Sequence, residues 1–313
     1  MLIEKYSNEQ YSQWNLFVQN AKNAHFFFNR DYMGYHADRF EDHSLMIYNK
    51  KNKLIALLPA NVKDDIVYSH QGLTFGGLLL GNTIRTDMVL DIFSSIKKYF
   101  REQGISKLIY KCIPYIYHAM PAEEDRYALF VNDAKLIRRD VSATINLSVP
   151  VRYSKGRKWT INKAKKENLV CAESQDFMAY WTLLEATMLQ QHGKKPVHTY
   201  QEIAFLAEKF PKNIRLFTVT DESEQLLAGA LLYKNNQVVH TQYLANSEKG
   251  RDLGALDFVL DYLIKNIYQD KKYFDFGISN EDAGRYLNTG LMAQKEGFGA
   301  RAVVHDFYEI KIE

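Results

Sequence analysis

The amino-acid sequence predicts an α/β chain of two tandem domains, each a mixed β-sheet flanked by helices. Three observations carry that expectation. The chain has 313 residues, above the ~100–200 of a typical single domain. Hydrophobic residues make up 46% of it, enough for a substantial core rather than a disordered chain. The same order of elements, α, β-β-β, α, β, α, β, recurs in both halves with little residue identity. A three-stranded meander followed by αβαβ calls for a mixed sheet with helices on both faces. The expected division is 1–150 and 151–313.

In the first half, Ser7 with Gln10 reads as a capping box, and Trp14, Phe17, Val18 and Ala21 follow at helical spacing. Residues 44–62 read as a hairpin around the polar turn Asn49–Lys53, and a third strand starts at Ile66. A glycine-rich passage runs from Gly72 to Gly81. A helix from about Asp87 to Gln103 is closed by Gly104. A strand (Lys107–Ile113), a helix near Pro121 and a strand from Lys135 to Leu147 complete the half. In the second half, helices near Asp176–Gln191 and Tyr200–Lys209 precede strands Ile214–Val219, Leu226–Tyr233 and Gln237–Ala245. A helix at Asp252–Tyr268, a strand at Lys272–Ile278, a helix starting near Gly284 and a last strand at Ala300–Ile310 follow.

Composition narrows the function classes. A net charge of +3 neither demands nor excludes a nucleic-acid partner. Cys112 and Cys171 are too few for a disulfide framework or a zinc site, so no metal is expected. The N-terminus lacks an apolar signal segment, and no run of ~18 apolar residues occurs. A cytoplasmic protein without stable membrane insertion is the expectation. Between the halves, Arg152, Lys155, Arg157, Lys158, Lys163, Lys165 and Lys166 crowd one segment, with no acid among them. It reads either as a solvated surface helix or as a phosphate-binding patch.

Candidate chemistry lies on two strands of the second half. His240 and Gln242 stand in an otherwise apolar strand, with Val238, His240, Gln242 and Leu244 on one face. Asp275 stands inside the strand YFDFGIS, where a carboxylate needs partners. Both polar residues also have a bland reading as hydrogen-bonded core groups. Gly277 permits close backbone approach. Between the strands, Ser247–Ala255 reads as a turn running into a helix N-terminus, an arrangement suited to a pyrophosphate. Its residues Gly250, Arg251, Gly254 and Ala255 are the candidate donor site. The matching stretch of the first half ends in Ser69, His70 and Gln71. Neighbouring strand residues point to opposite faces, which rules out a Ser–His dyad and leaves His70 and Gln71 as substrate binders.

YFDFGIS followed by LNTGLMAQKEGFGAR resembles the end of the FemABX family, FemAB-like members of the GNAT acetyltransferase superfamily. KGRKWTINKAKKENLV is similar to the basic helix that opens their second domain. The resemblance implies tandem GNAT-like domains and an acyltransferase that moves an acyl group onto an amine. Lys295, Gly297, Phe298 and Gly299 match the family's K-x-G-F-G element, and Asp275 and Gly277 match the strand before it. Arg251 and Gly254 fit the pyrophosphate loop of acetyltransferases, which this sequence leaves at Leu256. The implied donor is acyl-CoA, with aminoacyl-tRNA as the less favoured alternative. The implied acceptor is an amine on a small or lipid-linked cell-envelope or polysaccharide precursor, and DNA is not expected. His240 or Asp275 is the candidate base. Backbone N–H groups near Tyr243–Asn246 would hold the donor, and Tyr243, Lys295 and Phe298 would touch substrate. The competing class is a non-catalytic binding module on the same fold.

Overall fold

The computed structural model describes residues 1–312 and divides into two compact units. One holds Met1–Val141, Asn280–Tyr286 and 304–312; the other holds Ser142–Ser279 and Leu287–Val303. Each unit is discontinuous in sequence, which a single cut at residue 150 does not describe. The reason is that two long strands carry the boundary within them.

The first unit opens with strand β1 (Leu2–Lys5) and helix α1 (Tyr11–Asn20), preceded by the expected capping box, in which the Ser7 amide donates to Gln10 Oε1 at 2.9 Å. A short α2 (Arg30–Gly34) follows. Then come β2 (Glu41–Asp42), β3 (Leu45–Tyr48), β4 (Leu54–Leu58), β5 (Asn61–Lys63), β6 (Ile66–Tyr68) and β7 (Leu79–Leu80). Helix α3 (Thr86–Glu102), β8 (Lys107–Lys111), α4 (Glu124–Val131) and the start of β9 (Lys135–Asn146) complete it. The predicted hairpin is β3–β4, but the meander does not stay in one sheet. β1, β3, β4 and β7 pair in that spatial order as β1-β3-β4-β7, whereas β2, β5, β6 and β8 pair elsewhere. Pro59 separates β4 from β5 and removes a ladder donor there. Ser44 Oγ then accepts the Ala60 amide at 3.1 Å and fixes the bend. The apolar faces of α3, β3, β4 and β8 close over one core that includes Leu45, Ile47, Ile92, Phe93, Ile96 and Phe100.

The second unit begins with α5 (Lys155–Ala164), the basic segment, which Ser154 caps. Strand β10 (Val170–Ser174) was not anticipated. Helices α6 (Phe177–His192) and α7 (Tyr200–Lys209) precede β11 (Ile214–Thr220), β12 (Leu226–Lys234) and β13 (Val238–Asn246). Helices α8 (Glu248–Leu253) and α9 (Ala255–Tyr262) lead to β14 (Tyr273–Ile278). The order β10-β11-β12-β13-β14-β9 is antiparallel except at β13–β14. A ribbon of β15 (Asn280–Glu281) and β16 (Tyr286–Leu287) comes next, then α10 (Thr289–Glu296) and β17 (Arg301–Lys311). The helix expected near Gly284 starts instead at Thr289, capped by Asn288 Oδ1 on the Leu291 amide at 3.0 Å. Gly284 has φ +89° and lies in the preceding turn.

Candidate active site

Strands β13 and β14 run parallel for three residue pairs, Val238 with Tyr273, Val239 with Phe274 and His240 with Asp275. Pairing stops there, and β13 continues to Asn246. On its other side β13 carries a bulge: Thr241 pairs with Leu232 and Tyr243 with Leu231, leaving Gln242 as the extra residue. The expected single face from Val238 to Leu244 is therefore broken at Gln242.

The last β13–β14 pair brings the two candidate catalytic residues together. His240 Nδ1 donates to Asp275 Oδ2 at 2.8 Å. Asp275 Oδ1 accepts from Ser142 Oγ at 2.5 Å and from Thr144 Oγ1 at 2.7 Å. Ser142 and Thr144 are alternate residues of β9, and Thr144 is the register partner of Asp275. Asp275 is 0% exposed, so its charge is balanced by donors rather than by water. This overturns Asp275 as the base: it has no open face for a substrate proton and instead orients His240. With Nδ1 committed, Nε2 of the neutral ring carries the free lone pair. The His240 side chain is 14% exposed.

Gly277 completes the cluster. Its φ is +76°, and a Cβ there would lie 3.1 Å from His240 Cε1. Its carbonyl accepts Lys295 Nζ at 2.9 Å, and the Ile278 carbonyl accepts the same ammonium at 2.8 Å. Burial pulls the Lys295 pKa down to about 8, against the opposing pull of the Asp275 carboxylate. Two carbonyls satisfy two of its three N–H groups.

The other predicted positions fall elsewhere. Gly250 is buried inside α8, and a Cβ there would meet Asn246 Oδ1 at 2.4 Å and the Leu227 carbonyl at 2.5 Å. Arg251 is exposed and donates to the Asn246 carbonyl at 3.2 Å. Gly254, at φ +77°, separates α8 from α9 and lies beneath α5, with Thr160 Cγ2 2.7 Å from its would-be Cβ. Ala255 is fully buried. Lys163 Nζ also donates to the Asp252 carbonyl at 2.7 Å. The expected open turn is thus a helix that starts earlier, at Glu248, and α5 covers its second break. Phe298 is 1% exposed and packs on Tyr153 and Phe276, so it is a core residue rather than a substrate contact. The Tyr243 hydroxyl is engaged with His198 Nδ1 at 2.7 Å, and its ring stands edge-on to Trp181. The Tyr243 carbonyl accepts Tyr180 Oη at 2.9 Å.

In the first unit, His70 lines a pocket of about 250 Å³ with Tyr6, Arg30, Phe40 and Asp42. Burial, reinforced by neighbouring His36, holds the His70 pKa down at about 3, so the ring is neutral. Its Nδ1 accepts the Gly72 amide at 3.2 Å. Gln71 is exposed and exchanges two bonds with Asn61, each at 2.8 Å. Among the described residues, no cluster of three or more His, Cys, Asp or Glu is placed to hold a metal ion, and no helix is long and apolar enough to cross a membrane. Sequence reasoning missed Ser142, Thr144 and His198. The first two carried a signal, two small hydroxyls at period two in the strand VSATIN.

Residues 155–286 match the model of the acetyltransferase (GNAT) domain. The fold of the whole chain is shared with solved structures at low sequence identity. A crystal structure of FemX aligns with TM-score 0.68 and 10% identity, covering 98% of this chain and 97% of that one. The C-terminal domain of a putative lysylphosphatidylglycerol synthetase from Agrobacterium fabrum aligns at 0.64 and 11%, covering 97% and 92%. L-PGS from Bacillus licheniformis aligns at 0.64 and 12%, covering 99% and 93%. A tandem GNAT protein from the clavulanic acid pathway aligns at 0.50 and 12%, covering 100% and 98%. No curated protein matches the sequence.

Proposed function

We propose that the chain is an acyltransferase of the GNAT type that acylates an amine through His240, Asp275 and Lys295, a reading supported by the match of residues 155–286 to the acetyltransferase (GNAT) domain and by the fold shared with FemX. The observation that carries this reading is the convergence at Gly277. One side of that residue faces the His240 ring, and its carbonyl holds Lys295. His240 Nε2 takes the proton from the attacking amine while Asp275 fixes the tautomer and stabilises the imidazolium that forms. The third N–H of Lys295 stabilises the oxygen that gains charge as the amine adds to the acyl carbonyl. Attack is direct, so no Ser or Cys nucleophile is required: the C–N bond forms, the C–S bond to the donor thiol breaks as the tetrahedral intermediate collapses, and the His240 imidazolium returns the amine's proton to the departing thiolate. The unpaired length of β13 beyond His240 offers the acyl arm an edge to lie along.

The donor is a CoA thioester, the reading that the acetyltransferase domain supports. A second reading, an aminoacyl-tRNA ester, is favoured by one observation: α5 covers Gly254, and Ala255 beside it is fully buried, where a pyrophosphate loop would have to be open. The acceptor is an amine on a cell-envelope precursor, a reading supported by the likeness to FemX and to the putative lysylphosphatidylglycerol synthetase domain. The test is a thermal shift of the full chain with acetyl-CoA, CoA and aminoacyl-tRNA. A ligand at ~100 times its dissociation constant adds ~2.7 kcal/mol. Stabilisation by acetyl-CoA that is weakly salt-dependent supports the thioester. Steeply salt-sensitive stabilisation by tRNA alone moves the donor to the ester. No response to any of them leaves the binding-module alternative.

A further inference from the structure

We infer that the outward face of α5 is a docking surface for an anionic lipid bilayer. The helix has two faces with different fates. Arg157 is bound to Asp257 at 2.7 Å, Ile161 and Ala164 are buried, and Lys165 pairs with Asp261 at 2.9 Å. That face packs on α9. On the opposite face Lys155, Lys158, Trp159 and Asn162 are exposed at helical spacing, and Lys166 follows one turn on. Among the described residues Lys155, Lys158 and Lys166 make no ion pair, so their charge is available to a partner.

Trp159 makes this face unlike an ordinary solvated helix. It is 68% exposed, whereas Trp14 is 0% and Trp181 is 2% exposed. A large indole standing in water among free lysines combines the two groups that seek the headgroup layer of a bilayer. The indole sits at the boundary between acyl chains and headgroups, and the ammonium groups meet lipid phosphates. The acids on neighbouring elements do not cancel this charge. Asp257 and Asp261 are consumed by Arg157, Lys165 and Lys265. Exposed Asp252, Glu167 and Glu296 remain on neighbouring segments, fewer than the basic groups of this helix. A nucleic acid is the weaker occupant, because a single protruding ring on a convex helix offers no groove to track a phosphate backbone. The site is independent of the acyl-transfer reading and stands or falls without it.

The experiment uses the full chain with phosphatidylcholine vesicles that contain or lack phosphatidylglycerol. Because the other two tryptophans are buried, a change in emission on mixing reports Trp159. The expected result is co-sedimentation with the anionic vesicles only, a blue-shifted emission, and quenching by brominated acyl chains. Trp159→Ala should abolish the quenching. The triple variant Lys155→Gln, Lys158→Gln, Lys166→Gln should weaken partitioning by about fivefold per lysine, on the order of a hundredfold together. All these side chains point to solvent, so unchanged thermal stability of both variants confirms that folding is intact. Equal binding to neutral and anionic vesicles, or binding that neither variant reduces, overturns the proposal. So does binding of RNA through this face without binding to vesicles.

Discussion

Half-buried Lys111 of the first unit and buried Lys295 of the second are both held by backbone carbonyls but differ in how many donors they spend. Lys111 Nζ donates to the carbonyls of His70 at 2.8 Å, Leu73 at 2.6 Å and Gln71 at 3.4 Å. Lys295 Nζ donates to the carbonyls of Gly277 and Ile278 only. Each ammonium ties down a turn that follows a histidine-bearing or histidine-facing strand. Burial pulls both pKa values down to about 8, with Arg138 pushing Lys111 further and Asp275 opposing the drop at Lys295. An ammonium has three donors. At Lys111 all three are spent on backbone, and the group is a structural tie. At Lys295 one is left over beside the His240–Asp275 pair. Burial alone does not separate the two lysines; the count of satisfied donors does, and it is the basis on which Lys295 rather than Lys111 is proposed for the chemistry.

The histidines repeat the contrast and give the largest expected effect. His240 is oriented by a buried carboxylate, whereas His70 accepts a backbone amide and is kept neutral by burial. His240→Ala should lower kcat by about 10²–10⁴-fold, the range of a lost general base, with an unchanged circular dichroism spectrum. A kcat within a few-fold of wild type would remove His240 from the chemistry. Asp275→Asn should cost more than about tenfold in turnover, because the ring loses its fixed tautomer. Far-UV dichroism should be retained, since Ser142 and Thr144 can still donate to the amide oxygen. If Asp275→Asn is fully active, the pair is only a core hydrogen bond.

The legible and illegible parts of the sequence separate along the same physical line. Apolar strand runs and helical spacing reported β3, β4, β11, β12, β13, β14 and α3, because each buries apolar side chains against a continuous core, β3, β4 and β12 on both faces. The polar residues His240 and Asp275 stood out for the same reason: a polar group in an apolar strand must be paid for by a partner. What the sequence did not reveal was which partner. The hydroxyls of Ser142 and Thr144 lie more than a hundred residues from Asp275, about 130 apart along the chain, and only strand pairing brings them together. The turn at Gly250–Ala255 misled because glycine serves equally for an open anion-binding loop and for a helix that another helix covers closely. Phe298 misled because its motif neighbour Lys295 reaches the site while the ring itself turns into the core. The two-sheet split of the first meander rests on Pro59 and on the Ser44 bridge, single residues that carry no periodic signal.

Removing each lysine tests the comparison directly. Lys295→Met should lower kcat per folded molecule by about ten- to a hundredfold through the lost oxyanion donor, and it also leaves the Gly277 and Ile278 carbonyls short of a donor, a stability cost shared with Lys111→Met. Lys111→Met should show the stability cost without the loss of turnover. It leaves three carbonyls short of a donor and should destabilise the fold by about 1–3 kcal/mol, with kcat per folded molecule unchanged. Urea unfolding paired with single-turnover rates reads both. If the two variants have the same profile, donor count does not separate tie from catalyst here.

The smallest effect is the one that depends on protons. Both lysines have folded pKa values near 8, below the unfolded value of about 10.4. Between those values the unfolded chain binds the extra proton, so stability rises with pH. For one lysine the slope is at most about 1.4 kcal/mol per pH unit. Below pH ~8 both states are protonated and the full cost of burying the charge is present; above ~10.4 neither state holds the proton and that cost is gone. Wild type should therefore gain stability relative to Lys111→Met as pH climbs from about 8 toward 10. Catalysis should run the other way, because a deprotonated Lys295 loses the charge that strengthens its spare donor. The rate, kcat/KM, should fall on an alkaline limb near pH 8 in wild type and in Lys111→Met, and that limb should be missing in Lys295→Met. An alkaline limb that survives in Lys295→Met but disappears in Lys111→Met would exchange the roles assigned to the two residues.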